Sequence, residues 1–320
     1  MIKVADTVCN VLAQARAVLA LVVLVVALVL GNARAAAGQA ASASSRTRVI
    51  MLGTGTPAAD PDRFGTAVVV LVDNTPYLFD AGVGVVRRWT AAIRNEGLPL
   101  APSSLRTAFV THLHSDHTLG YPDLILSSWT LEQGPHRPLE VYGPAGLRAM
   151  TDHLLAAYAE DVAIRTGDEG ERAQQAPPVV HVHEIGTGIV YHDSLVTVTA
   201  FTAHHGTWKQ AFGYRVETPD RVIVLSGDAG PPSEIRGQCQ GCDILLHEGG
   251  FRLAADANPY YKKFHTTTED LARIAAAARP KLLVLYHQPP AGPGPERGYA
   301  VLRSLYSGAF VVARDLEVFR

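Results

Sequence analysis

The chain has 320 residues, of which 48% are hydrophobic and 18% charged, with a formal net charge of −2. That is enough apolar material for a substantial core, so a disordered chain is excluded. The near-neutral balance supplies no general electrostatic attraction to nucleic acid.

In chain order, Lys3 and Arg16 form a sparse positive region before an uncharged apolar run over 17–31, and Ala33-Arg34-Ala35 offers an A-x-A cleavage site. This reads as a secretory signal peptide over 1–35, because the run is shorter than the roughly 20 residues a membrane span needs. The alternative is an uncleaved N-terminal membrane anchor, which forms if residues 11–15 extend the helix. Either way the rest of the chain is exported, as a periplasmic or secreted protein or one anchored facing the periplasm. Residues 36–47 are polar and rich in Ala, Ser and Gly, and are expected to be a disordered leader. A single domain over 48–320 follows, with no linker long enough to divide it and no repeat of solenoid period.

Within that domain TRVIMLG, TAVVVLV and YLFDAG read as strands, the last two joined by a DNTP turn. VGVVRRWTAAIRNEG has helical spacing and ends in Gly97. RTAFVTH is a buried strand, HTLGYPDLILSSWTL a helix, LEVYGP a strand and AGLRAMTDHLLAAYAED a helix. Residues 165–178 read as a charged, Pro-containing loop or lid. A second wave follows: VVHVHEI, GIVYHD, LVTVTAFTA, AFGYRVET, RVIVLSGD and CDILLHE are strands. TTEDLARIAAAARP is a helix, KLLVLYH a strand, PERGYAVLRSLY a helix, and AFVVAR and DLEVFR close the chain. Two successive waves of strands and helices predict an α+β fold, a four-layer αββα sandwich.

Two features are set aside. Gly53 and Gly55 lack the third glycine of a dinucleotide fingerprint, and a strand rather than a helix follows them. Cys239 and Cys242 form a CxxC too short of ligands for zinc. The pair either closes a small disulfide in an oxidising compartment or packs in the core, and the position of Cys242 at the head of CDILLH favours the second.

The stretch THLHSDH crowds His112, His114, Asp116 and His117 at the end of a strand. Imidazole nitrogens and carboxylate oxygens are good zinc donors, and side chains that diverge at a turn can feed two adjacent metals. Further along, LFDAG holds Asp80, FTAHHG holds His204 and His205, LSGDAG holds Asp228, LLHEGGF holds His247 and Glu248, KKFHTTTED holds His265, and LVLYHQ holds His287. Each metal-type residue stands at the end of an apolar strand.

These motifs, in this order over nearly all of residues 48–290, resemble the metallo-β-lactamase-fold hydrolases, in their ribonuclease Z / arylsulfatase-like branch. The resemblance implies two Zn2+ ions per chain. One would be held by His112, His114 and His205, the other by Asp116, His117 and His287, with Asp228 and a water bridging them. The family pattern sets the ligand directly before Gly, which favours His205; His204 is the alternative ligand and otherwise a supporting hydrogen-bond partner. Asp80 supports the metal loop without binding metal. A bridging hydroxide would hydrolyse an ester without a covalent intermediate. The branch also implies a proton relay, with His265 as general acid, Glu248 as its orienting partner, and His247 beside them.

Two departures bear on the substrate. The bacterial tRNA-processing members of the branch carry a long arm between the third-motif histidine and the bridging aspartate. Here only residues 205–228 lie in that interval, and they read as two strands and a turn. Val83 also stands where the branch usually has Glu. The expected substrate is therefore a small exported ester, an aryl sulfate or a phosphodiester, with nucleic acid unfavoured and a homodimer expected by analogy. The alternatives are a ribonuclease Z-like endoribonuclease or phosphodiesterase, a lactonase, or a non-catalytic metal-binding member. Loops 56–64, 121–138, 165–178 and 252–264 are expected to shape the pocket, with Trp129, Trp208, Tyr260 and Tyr261 as candidate lining aromatics. His136, His153, His181, His183 and His192 are read as surface residues.

Overall fold

The computed structural model describes residues 45–132, 137–168, 176–231 and 234–320. The signal-peptide or anchor segment, Cys9, most of the leader, His136 and the middle of the expected lid lie outside them. No helix among the described residues is long and apolar enough to cross a membrane.

Two seven-stranded sheets form the body of the Arg46–Phe319 unit. The first contains β1 (Thr47–Gly53), β2 (Ala67–Val72), β3 (Thr75–Phe79), β4 (Thr107–Phe109), β5 (Leu139–Gly143), β6 (Val180–Glu184) and β14 (Val318–Phe319), in the order 14-1-2-3-4-5-6. The second contains β7 (Gly188–His192), β8 (Thr197–Thr202), β9 (Phe212–Glu217), β10 (Val222–Leu225), β11 (Ile244–His247), β12 (Leu282–Leu285) and β13 (Phe310–Val312), in the order 13-12-11-10-9-8-7. Each sheet begins as an antiparallel meander and continues as parallel strands, from β3 to β6 in one and from β10 to β13 in the other.

The central strands read as unbroken apolar runs because both of their faces are buried. Along β1 and β2, Val49, Met51, Val68 and Val70 point to the interior shared with Tyr214, Ile223, Leu246 and Val284 of the other sheet. Their neighbours Ile50, Leu52, Val69 and Leu71 point the opposite way, onto Trp89, Tyr121 and Leu124 of the covering helices. The second sheet is covered likewise: Leu245, Leu283 and Leu285 meet Leu271, Ala275 and Leu302 of the helices Thr268–Ala278 and Pro293–Leu305. The period of two in a strand thus builds three apolar layers and the expected αββα sandwich. Each fully buried Val or Leu contributes about 1.5–3 kcal/mol relative to exposure.

The structure corrects several boundaries. The strand begins at the buried Thr47, inside the stretch expected to be leader. HTLGYPDLILSSWTL is two helices, Ser115–Thr118 and Tyr121–Leu131. They part at Gly120, whose N–H donates to the Ala81 carbonyl and whose Cα approaches the Gly82 carbonyl too closely for any side chain. AGLRAMTDHLLAAYAED likewise breaks at Tyr158 into Leu147–Ala157 and Ala159–Gly167, so residues 165–167 are helical rather than loop. Two short helices, Ile235–Gln238 and Pro259–Phe264, have no periodicity long enough to be read from sequence. Cys239 and Cys242 form a disulfide. Both are buried as expected of core residues, but Cys242 precedes β11 and carries no free thiol.

Candidate metal centre

β4, β8, β10, β11 and β12 all stop at one rim where the sheets meet, and the ionisable residues sit just beyond those strand ends. His112, His114, His205 and Asp228 offer one set of donor atoms that lie within 4.8 Å of one another, and Asp116, His117 and His287 offer a second. Asp228 and His287 also form a third such group with His265.

Three of the rings, His112, His117 and His205, have Nδ1 engaged by the protein and Nε2 turned inward. The His117 Nδ1 is 2.8 Å from Asp80 Oδ2, which leaves Nε2 facing Asp116 at 3.5 Å and Asp228 at 3.4 Å. The His205 Nδ1 is 2.8 Å from the Phe264 carbonyl, and the His112 Nδ1 is 3.0 Å from Thr111 Oγ1. Their free Nε2 atoms converge on the His114 Nδ1 at 3.1 and 2.9 Å. The His287 Nε2 stands 3.0 Å from Asp116 Oδ2 and 3.5 Å from Asp228 Oδ2. Asp80 binds no inward atom; it accepts the Thr111 N–H and hydroxyl at 2.8 and 2.9 Å and so fixes the loop.

A donor set of this kind fits cations and little else. His112, His117, His205, Asp228 and His287 are buried, and His117 Nε2 and Asp228 Oδ1 have no hydrogen-bond partner among the described residues. Burying such groups without partners is costly. Burial pushes the His112, His114 and His205 imidazoles below their ordinary value, toward the neutral, ligating form. Burial raises the Asp228 carboxyl, but the His287 and His117 charges outweigh it and hold it well below the usual carboxylate range. Asp80 and His287 both adopt positive φ, at 59° and 53°, in the left-handed region that few side-chain-bearing residues occupy. Strained backbone at two of these residues is what an over-determined functional site shows.

His205 and not His204 enters the cluster. His204 is exposed and contributes its carbonyl to the Gly230 N–H at 2.6 Å, so its side chain has no supporting hydrogen bond to a donor residue. Gly206 follows with φ 58°, and a side chain there would collide with the Phe264 ring. That tight turn, under the Phe264 carbonyl, points His205 inward.

His265 flanks the cluster. Its ring centroid is 5.3 Å from that of His205, and its Nδ1 is 3.4 Å from Glu248 Oε2. Glu248 is fully buried and its Oε1 accepts the Thr266 N–H at 2.7 Å. Burial lowers the His265 imidazole, but the Glu248 carboxylate beside it prevails and raises it to about 9. His247 is buried next to the Glu248 carbonyl, and burial keeps its imidazole below the ordinary value. Asp116, Asp228, His265 and His287 line a cleft of about 260 Å³ with Thr56, Arg252 and Tyr260 on its walls.

Of the loops expected to shape the pocket, 56–64 and 252–264 do so. Residues 121–131 are instead a helix packed on the first sheet, and Trp129 is buried with its indole N–H on the Ala176 carbonyl. Of the candidate aromatics Tyr260 and Tyr261 line the cleft, whereas Trp208 lies outside its lining with its indole nitrogen 3.0 Å from the His114 Nε2. No local motif marks that contact. His181 and His183 are exposed and clasp Glu140 at 2.7 and 2.8 Å, and His153 and His192 are also exposed.

Comparison with known proteins follows the same lines. The family model of the β-lactamase superfamily domain matches residues 75–288. A ribonuclease Z of Mycobacterium sp. (strain KMS) is 32% identical over 254 residues, covering 78% of this chain and 86% of the relative. A ribonuclease Z of Mycobacterium bovis BCG Pasteur is 29% identical over 277 residues, covering 84% and 96%. Among solved structures, the short form of human tRNase Z superposes with a TM-score of 0.64 at 24% identity, covering 85% of this chain and 98% of that one. The metallo-β-lactamase-fold protein YhfI of Bacillus subtilis gives 0.65 at 16%, again covering 85% and 98%.

Proposed function

This chain belongs to the metallo-β-lactamase-fold hydrolases, in the ribonuclease Z branch, and on that premise we propose that it is a zinc-dependent phosphodiesterase acting on small phosphodiesters. His112, His114 and His205 would hold one ion, Asp116, His117 and His287 the other, and Asp228 would reach both. All-nitrogen-and-oxygen donor sets of this kind suit zinc. Two bound ions would supply a water of lowered pKa and neutralise charge on the phosphoryl oxygens. The chain's own contribution is orientation and a proton. Asp80 and the Phe264 carbonyl fix two of the imidazoles from behind. His265 delivers a proton to the departing ester oxygen, and the Glu248 carboxylate beside it favours the protonated ring.

The observation that carries this reading is His265, which lines the cleft with Asp116, Asp228 and His287 and has the buried Glu248 carboxylate 3.4 Å behind its Nδ1. A non-catalytic metal-binding protein has no use for a proton donor there. The ribonuclease Z relatives favour a phosphodiester over an aryl sulfate. A small substrate is favoured by the cleft of about 260 Å³ and by the interval between His205 and Asp228, which holds only a loop and the β9–β10 hairpin. An exported location, the expectation from the N-terminal residues, draws support from the Cys239–Cys242 disulfide.

The test is turnover by the zinc-loaded full chain of bis(4-nitrophenyl) phosphate, 4-nitrophenyl sulfate and a precursor tRNA, with Asp228→Ala as control. Phosphodiester turnover that chelation and the substitution abolish supports the proposal. Sulfate turnover alone sinks the phosphodiester assignment, and tRNA cleavage without turnover of the small diester sinks the small-substrate part.

A further inference from the structure

Beside the metal cleft lies a second cavity of about 760 Å³, lined by Leu113, Pro144, Ala145, Trp208, Lys209 and Gln210 among others. Three segments build it. Leu113 stands between the donors His112 and His114, the Trp208–Gln210 segment follows His205, and Pro144-Ala145 follows β5. The last two are joined by the Ala145 N–H, which donates to Gln210 Oε1 at 2.8 Å. The floor is apolar, Trp208 presents a half-buried indole, and the exposed Lys209 at the rim makes no ion pair among the described residues. Nothing in the hydrolytic machinery accounts for a cavity of this size and character.

Its position relative to the proton donor gives it a role. The rings of Trp208, His114, His205 and His265 follow one another with centroids 4.9, 4.9 and 5.3 Å apart. The His114 and His205 rings thus stand between the Trp208 indole and His265 in this series of contacts. A phosphorus atom over the cluster would present its leaving oxygen to His265 and its other ester group toward Trp208. We propose that this cavity is the subsite for the retained ester group of the substrate, and that it takes a flat aromatic ring, a nucleobase or an aryl group, against the Trp208 indole. Lys209 at the rim favours the anionic diester. Aromatic stacking rewards any π-face and needs no hydrogen-bond reading, so both kinds of ring share the chemistry. The inference rests on the phosphodiesterase reading and on His265 facing the leaving group.

The experiment varies only the retained group. Methyl, phenyl and thymidine-5′ esters of 4-nitrophenyl phosphate are compared in the zinc-loaded full chain, with Trp208→Ala and Trp208→Phe. The phenyl and thymidine esters are expected to exceed the methyl ester in kcat/KM. Trp208→Ala should remove about tenfold of that preference, a size typical of one stacking contact, while Trp208→Phe keeps most of it. The ratio of phenyl to thymidine tells a simple aryl pocket from a nucleoside pocket. A binding readout stands apart from turnover. Phenylphosphonate, which has no ester to cleave, should quench tryptophan fluorescence of the holoprotein at lower concentration than methylphosphonate. Trp89 and Trp129 are 0% and 3% exposed, so the quench reports Trp208. Equal behaviour of phenyl- and methylphosphonate, or a Trp208→Ala enzyme with the wild-type preference, overturns the subsite. Silence of the wild-type enzyme toward all three esters would count against the phosphodiesterase reading, and the phosphonate titration would still decide the subsite.

Discussion

The Asp80 Oδ2 stands 2.8 Å from the His117 Nδ1, with both residues buried and Asp80 held at a positive φ. This contact fixes the proton of His117 on Nδ1, which donates to Asp80, and aims Nε2 at the donor cluster. Asp80→Asn keeps the size and loses the charge. It is expected to weaken metal binding by about 10–100-fold, measured by competition with a fluorescent zinc chelator. Unchanged affinity would mean that Asp80 serves only the Thr111 turn.

Trp208 should report metal loading. A metal on the His114 Nδ1 requires the ring proton on Nε2, and that proton would face the indole N–H 3.0 Å away. Two donors cannot share one contact, so the Trp208 ring is expected to shift when metal binds. Stripping and restoring zinc should therefore change tryptophan emission reversibly, and Trp208→Phe should abolish the change. A persistent change in that variant would assign it to Trp89 or Trp129 instead.

Loss of the proton donor should depend on the leaving group. His265→Ala is expected to lower kcat by about 10²–10⁴ for a diester with an alkyl leaving group, the usual range for general acid catalysis. A 4-nitrophenol leaving group needs little protonation and should be affected far less. Glu248→Gln should act in the same direction with a smaller effect, because it removes only the charge that favours the protonated His265 ring. Equal losses for both leaving groups, with zinc content intact, would remove His265 from the proton-transfer role.

The Cys239–Cys242 disulfide closes a very short loop, so its effect on the unfolded chain is small. Cys239→Ala with Cys242→Ala should cost about 2 kcal/mol on the loop-entropy model, read from urea unfolding. Thiol titration of the unreduced, denatured domain should find neither cysteine free. Two reactive thiols would return the pair to the role of ordinary core residues.

Acid stability should carry the mark of Asp193. Its carboxylate accepts the Tyr77 and Tyr191 hydroxyls at 2.6 and 2.8 Å and the Leu195 and Val196 N–H groups at 2.7 and 2.8 Å. Burial raises the carboxyl, but these four donors outweigh it and depress it below the usual range. A depressed folded value means the unfolded state binds the proton more readily, so this stability is present above the unfolded pKa of about 4. It is lost as pH falls through the folded value. Asp193→Asn should flatten that acid limb of the unfolding curve, and an unaltered limb would place the acid sensitivity elsewhere.

The sequence by itself determined the strands, the four layers and which residues are candidate donors. Apolar runs such as AVVVLV bury both faces, and a strand end is where the chain can change direction and release a polar side chain to the rim. His112, His114, Asp116 and His117 are legible because they are close in sequence, and Asp228 and His287 because each ends an apolar strand. Tertiary structure alone decided what depends on contacts between distant segments. The place of His205 before Gly206 is legible in the sequence, but the contact that holds its ring, the Phe264 carbonyl 59 residues away, is tertiary. One long helical pattern breaks at Gly120 because the Gly82 backbone leaves no room for a side chain. Trp208 meets His114 across 94 residues, and no periodicity or local motif carries that distance. Local patterning fixes which way a residue points within its element, whereas the neighbour it meets is set by how the two sheets close on each other.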